Sequence, residues 1–199
     1  MRYGRERKEA TRQKILEAAG ALFRRHGIDG VGVDAIMARA GLTHGGFYAH
    51  FPSKEALAAA VCAESLARSA ARWAGIAEEA PPRETLRRIV DSYLDPRHAA
   101  ATESGCVLPA LGPDITRRAG PRPALTATMQ EMARTLAGCH SGEDVEARGM
   151  ADLACMVGAL VLARLSDDPA FSNAMLEAAS RAVLDPGSRQ PARKDREPL

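Results

Sequence analysis

The chain has 199 residues and a mass of 21.2 kDa, with 46% hydrophobic and 26% charged residues; that suits one or two small globular units and is too apolar for a disordered chain. The formal net charge of +2 excludes a polybasic or acidic chain as a whole, yet residues 1–54 carry +5 and residues 55–199 carry −3, as if a polyanion-binding head were joined to a body with another task. The longest apolar run covers 11 residues, 153–163, where a membrane-spanning helix needs roughly 20, and the charged start Met1-Arg2-Tyr3-Gly4-Arg5-Glu6-Arg7-Lys8 leads into no apolar core of a secretory signal.

Apolar residues Ile15, Ala18, Ala19, Leu22 and Phe23 recur at helical spacing, predicting an amphipathic helix that starts between residues 5 and 11 and stops at Gly27. A second, short helix carries Val33, Ile36, Met37 and Ala40 on one face and stops at Gly41. Thr43 is a suitable N-cap for a third short helix reaching about His50, and Pro52-Ser53 punctuates the chain before the next. A long Ala-rich helix is expected over 53–79, ended by Pro81-Pro82. Residues 83–94 form another, with Leu86, Ile89, Val90, Tyr93 and Leu94 as its buried face and Pro96 ending or kinking it. The stretch 104–123, interrupted by Gly105, Pro109, Gly112, Pro113, Gly120, Pro121 and Pro123, is expected to hold one or two short helical pieces. Helical periodicity returns over 124–137, 145–165 and 169–184, and the tail 186–199 has the composition of a disordered segment. No alternating β-branched run occurs, so the chain reads as all-α with about nine helices, divided into a head at 1–54, a body at 55–185 and the tail at 186–199.

The segment from Ile36 to Lys54 has the physics of a helix-turn-helix: two short helices meet at Gly41, and Ile36, Ala40, Leu42, Phe47 and Phe51 close a small core against the first helix. This leaves an outer face of Thr43, His44, Gly45, Gly46, Tyr48 and His50 free for a major groove. Two adjacent glycines are poor helix formers, and their presence points to close backbone approach to a partner. These residues resemble the TetR family of bacterial transcription regulators, through the run Ile-x-x-x-Ala-Gly-Leu-Thr-x-Gly-x-Phe-Tyr-x-His-Phe-x-x-Lys-x-x-Leu at 36–57 and Thr-Arg-x-x-Ile-Leu-x-Ala-Ala-x-x-Leu-Phe-x-x-x-Gly at 11–27. Two positions depart from the family pattern: Met37 replaces the usual alanine, and Gly46 replaces a larger polar residue.

The resemblance implies a three-helix DNA-binding head on a helical ligand-binding and dimerisation body, working as a homodimeric cytoplasmic repressor on a palindromic double-stranded operator. In its terms Thr43 caps the recognition helix and reaches a phosphate, Tyr48 and Lys54 contact phosphates, and His44, Gly45 and His50 approach base edges, while Gly46, also on the DNA-binding face, removes one possible base contact. Arg12 and the cluster Arg5, Arg7 and Lys8 add phosphate or minor-groove contacts. The bland alternatives are a packed Tyr48 and a helix-end His50.

In the body, Cys155, Gly158, Ala159 and Leu162 on one apolar helix, with Met175 and Ala179 on the last, resemble the family's four-helix dimer interface; the alternative is an interior helix of a monomer. The family's ligand pocket makes Trp73, Tyr93, Leu108, Met129 and Met132 candidate linings for a small-molecule effector, although aromatic and Met residues at helical spacing also serve as plain core. Cys106 stands at the expected start of a helix, where the dipole favours a thiolate, and its Gly-Cys context is similar to a NemR-like subgroup in which such a cysteine senses electrophiles or oxidants; a small buried residue is the plain alternative. Cys62, Cys106, Cys139 and Cys155 show no C-x-x-C spacing and read as free thiols, and His98, Cys106, Cys139 and His140 fit no metal pattern, so no metal and no cofactor are expected. No nucleophile elbow, phosphate loop or H-E-x-x-H run is present, which argues against an enzyme. A helical interaction module with a vestigial helix-turn-helix is the remaining alternative.

Overall fold

Ile15, Ala19 and Phe23 lie fully buried along one face of α1 (Arg2–His26) in a computed structural model that describes residues 2–118 and 122–185, with side chains from residue 5. The tail 186–199, expected to be disordered, and Gly120 and Pro121 of the broken stretch lie outside the described residues. α1 begins earlier than its apolar pattern indicates. Residues 5–10 are exposed and rich in Arg, Lys and Glu, good helix formers that extend a helix without packing on anything, so periodicity could not mark them. The basic residues Arg24, Arg25 and His26 close the last turn, where the helix dipole favours them, and Gly27 leaves it at φ +74°.

α2 (Val33–Arg39) buries Ile36 and Met37, and Gly41 makes the turn after it at φ +68°, a conformation that glycine adopts without the cost of a side chain. The expected third helix is a 3₁₀ segment, His44–Ala49, rather than an α-helix. Gly45 and Gly46 weaken α-helix formation, and Pro52 limits the run to about two turns, a length the tighter 3₁₀ geometry serves. α3 (Lys54–Glu79) starts as the sequence indicates, with Ser53 Oγ accepting from the Ala56 N–H at 3.1 Å, and stops before Pro81-Pro82.

α4 (Pro82–Tyr93) buries the expected face of Leu86, Ile89, Val90 and Tyr93. As expected, α4 stops just ahead of Pro96, and this proline has a second role. It opens a separate short helix, α5 (Pro96–Ala100), whose N-cap Asp95 accepts from the Arg97 N–H at 2.7 Å. Proline suits that first turn because its missing N–H would have no helical partner there. The stretch broken by prolines and glycines contains one helix, α6 (Val107–Thr116), which continues through Pro113. α7 (Pro123–Ala137), α8 (Val145–Leu165) and α9 (Pro169–Leu184) follow the periodicity closely. Nine α-helices and one 3₁₀ segment are thus present among the described residues; the expected count of about nine omitted α5.

α3 forms the spine, with α1 and α6 toward its start and α4 and α7 along its length, and α8 lies between α7 and α9. α7 and α8 cross closely at Gly149, where an added Cβ would overlap the Ala133 carbonyl and stand 2.9 Å from the Ala137 Cβ. His140 Nε2 lies 2.6 Å from Asp152 Oδ2, with both side chains largely buried, which ties the end of α7 to α8. The buried apolar residues form one cluster running from Phe47 and Phe51 in the head to Leu176 and Val183 in α9. No helix among the described residues is long and apolar enough to cross a membrane.

Candidate nucleic-acid interface and body

The head's outer face is set by which residues of the 3₁₀ segment turn inward. Phe47 is fully buried and packs against Phe51 with ring centroids 6.1 Å apart. This turns Tyr48 outward, 62% exposed, with its ring edge-on to Phe47 and to His44. His44 is exposed too, and its Nδ1 is hydrogen-bonded to Asp34 of α2. Asp34 was not singled out by sequence; its only signal was the absence of an apolar role on α2. Thr43 and Gly45 are exposed. Thr43 holds the N-cap position but its side chain makes no capping bond, so its hydroxyl is not committed to the segment. Gly46 is half-buried, and a Cβ there would stand 3.7 Å from Met37 Cε. The two positions that depart from the family pattern therefore lie against each other, the long side chain of one under the missing side chain of the other.

Three residues expected on this face point elsewhere. Lys54 Nζ donates to the carbonyls of Ile28 and Val31, both at 3.1 Å, because α3 begins beneath the loop between α1 and α2. Arg12 pairs with Glu64 of α3 at 2.8 Å and lies 5.2 Å from the centre of the Phe51 ring. His50, at the C-cap of the 3₁₀ segment, is half-buried with its Nδ1 enclosed and without a hydrogen-bond partner. Arg5, Arg7 and Lys8 are exposed on the first turns of α1.

In the body, Cys106 is the N-cap of α6 and is 5% exposed. Its N–H donates to His98 Nε2 at 3.0 Å, while His98 Nδ1 bonds the Tyr93 carbonyl at 2.6 Å. Arg24 donates to the Gly105 carbonyl at 2.8 Å, and Arg164 donates to the carbonyls of His98 and Ala99, each at 3.0 Å. Burial lowers the pKa of both guanidinium groups, and Cys106 is among the neighbours that oppose this shift. Gly105 is required here: a Cβ would come 2.6 Å from an Arg164 guanidinium nitrogen and 2.9 Å from the Ala101 carbonyl. Sequence reading found Cys106 but missed both arginines. Arg164 carried a signal, as a charge directly after the longest apolar run.

Trp73 is fully buried and meets Tyr93 edge-on with centroids 5.7 Å apart. Burial pushes the Tyr93 phenol pKa upward, and the neighbouring Cys106 thiol adds to that shift; Trp73 Nε1 is enclosed without a hydrogen-bond partner among the described residues. Met132 is buried, while Leu108 and Met129 are half-buried. None of these candidate linings reaches a cavity of about 540 Å³ at the junction of head and body between α3, α6 and the start of α7. Their helical spacing reads the same for core as for a pocket wall, and Trp73, Tyr93 and Met132 belong to the core.

On the opposite side of the body, Leu162, Leu165 and Phe171 are about half exposed or more. Cys155, Gly158 and Met175 are half-buried beside them. Ala159 and Ala179, expected on this surface, are 5% and 7% exposed and face the protomer's own core, one helical position away from the outer stripe.

Residues 15–61 match the family model of bacterial regulatory proteins, tetR family, a span covering α1's buried face, α2, the 3₁₀ segment and the first turns of α3. The match is to the head alone, which is similar to the DNA-binding domain of that family. It is similar to an uncharacterized HTH-type transcriptional regulator, YerO, of Bacillus subtilis (strain 168), 28% identical over 87 residues, or 42% of this chain and 30% of that protein's length. It shares its fold with the reduced form of Escherichia coli NemR at 20% identity and a TM-score of 0.76, covering 87% of this chain and 95% of that one. A TetR-family regulator of Agrobacterium tumefaciens aligns over 90% of this chain and 98% of its own, with 21% identity and a TM-score of 0.76. The all-helical body of this chain thus has the same architecture as theirs.

Proposed function

We propose that the chain is a homodimeric repressor whose two heads read the halves of a palindromic operator and which a small apolar or electrophilic effector releases. The carrying observation is the outer face of the 3₁₀ segment. It presents exposed Tyr48 and Thr43, His44 braced by Asp34, and a side-chain-free surface at Gly45. Tyr48 and Thr43 take phosphates, and His44 reaches a base edge while Gly45 and Gly46 permit close approach. Arg5, Arg7 and Lys8 extend the contact along α1. Lys54, Arg12 and His50 serve by holding the head rather than by touching DNA. The exposed apolar stripe on α8 and α9 supports the second copy, which brings two heads to half-sites about one helical turn or more apart.

One observation favours an electrophilic effector: Cys106 sits at a helix N-terminus with two buried guanidinium groups close by. A Michael acceptor would form an S–C bond with the Cys106 sulfur at its β-carbon, and the proton lost from the thiol would be matched by one gained at the acceptor's α-carbon. The added bulk must then displace Tyr93 or the α5–α6 connection.

Selection of the full-length protein on random duplex DNA, followed by anisotropy on the enriched sequence, tests the reading. A palindromic site is expected, bound at least tenfold more weakly by Tyr48→Ala. Absence of any enriched duplex would overturn the regulator. N-ethylmaleimide is expected to release the wild type and leave Cys106→Ser bound, and equal behaviour of the two would sink the thiol arm alone.

A further inference from the structure

We infer that the cavity at the head–body junction is a binding site for an aliphatic carboxylate, whose head group takes Arg118 from Asp29. The inference rests on the regulator reading and names the effector's chemistry and its seat. The cavity holds about 540 Å³, within the range of about 300–1,000 Å³ typical of small-molecule sites. Its wall is aliphatic, built from α3 alanines such as Ala59 and Ala63 with Ile115 and Leu125, and no aromatic ring lines it. Such a wall accepts a flexible hydrocarbon chain and offers nothing for stacking.

One end of the cavity is cationic. Arg118 and Arg122 both line it, with Glu55 as the one acidic lining residue. Arg122 donates through Nη2 to the carbonyls of Ile115 and Arg118, neutral acceptors that leave its charge uncompensated and its other N–H groups available. Arg118 donates to the Asp114 carbonyl at 2.9 Å and pairs with Asp29 at 2.5 Å. The Asp29 side chain is 79% exposed, so this pair is wet and readily exchanged for another carboxylate.

The same end carries the ties between head and body. Asp29 and Ile28 belong to the connection between α1 and α2. Ile28 lines the cavity, and its N–H donates to Asp114 Oδ2 of α6 at 3.1 Å. A carboxylate on Arg118 therefore removes one of two neighbouring attachments of the head to α6, while its chain presses on the residue that makes the other. Binding differs between the two arrangements of the junction, which is what a ligand needs to shift their populations.

Decanoate is the probe, titrated calorimetrically into the full-length protein without DNA, with decanol as the uncharged control. Decanoate is expected to bind at least tenfold more tightly than decanol. Arg118→Gln should weaken it at least fivefold, and Asp29→Asn, which frees Arg118 from its partner, should tighten it. Arg97→Gln, an exposed arginine remote from the cavity, should change nothing. Equal binding of decanoate and decanol, or indifference to both Arg118→Gln and Asp29→Asn, would overturn the site. Because the readout contains no DNA, a chain that takes decanoate but no duplex would sink the regulator and keep the cavity. A chain that binds duplex but not decanoate would do the reverse.

Discussion

Lys54 shows how one side chain can satisfy a sequence motif while doing another task. A lysine just after the helix-turn-helix reads as a phosphate contact, yet its ammonium closes the loop between α1 and α2 by donating to two carbonyls. Hydrogen bonds from a charged donor to otherwise unpaired acceptors contribute roughly 1.5–3 kcal/mol. Lys54→Met is therefore expected to cost about 1–2 kcal/mol of stability in the absence of DNA, measured by denaturant unfolding. A phosphate-contacting lysine would leave that stability unchanged. Phe47 and Tyr48 were legible because alternation of inward and outward side chains in a short helical turn is local. Lys54 and Arg12 were not, because their partners lie 23 or more positions away in sequence, where spacing carries no information, and the enclosure of His50 depends on packing that spacing does not show.

Among the elements, the connection through α4, α5 and α6 was the least legible. Prolines and glycines told where helices break but not that Pro96 and Cys106 each begin one. The joint is organised by His98, which bonds the end of α4 through the Tyr93 carbonyl and the start of α6 through the Cys106 N–H. Nε2 accepts in the second bond, so this imidazole is neutral, and burial lowers its pKa below the ordinary histidine value of about 6.5. The unfolded chain then takes up the proton first. The stability owed to neutral His98 is present above about pH 6.5 and is lost as pH falls through the lowered folded value. The thermal midpoint of the wild type is expected to fall between about pH 7 and pH 5 more steeply than that of His98→Asn, read by circular dichroism. Parallel curves would remove His98 from that role. By contrast α8 and α9 were read almost to the residue, since long apolar stripes with clear stops leave little ambiguity.

For the molecule as a whole, the exposed apolar residues of α8 and α9 are the feature that a monomer does not explain. Leu162, Leu165 and Phe171 are all exposed, and an added Cβ at Gly158 would meet nothing within 4 Å. Replacing Leu165 and Phe171 by Glu is expected to turn a dimer into a monomer in sedimentation velocity while helical content is retained, since neither side chain contributes to the protomer's own core. A wild type that sediments as a monomer would refute the interface. Ala159 and Ala179, expected from sequence on an outer surface, are buried in the protomer, because a helix of small residues has no strong amphipathic contrast to orient it.

The head is joined to the body by charge as well as by apolar packing. Arg25 and Arg39 both pair with Glu103, Arg12 pairs with Glu64, and Arg118 pairs with Asp29. These bridges are at least partly exposed, so added electrolyte weakens them. Electrolyte also weakens duplex binding through counterion release, with a slope of roughly −0.9 in log affinity against log salt for each phosphate neutralised. A salt titration of this chain on DNA would therefore register two processes at once. A second titration, of the DNA-free protein's unfolding against salt, separates the loosening of the bridges from the loss of phosphate contacts.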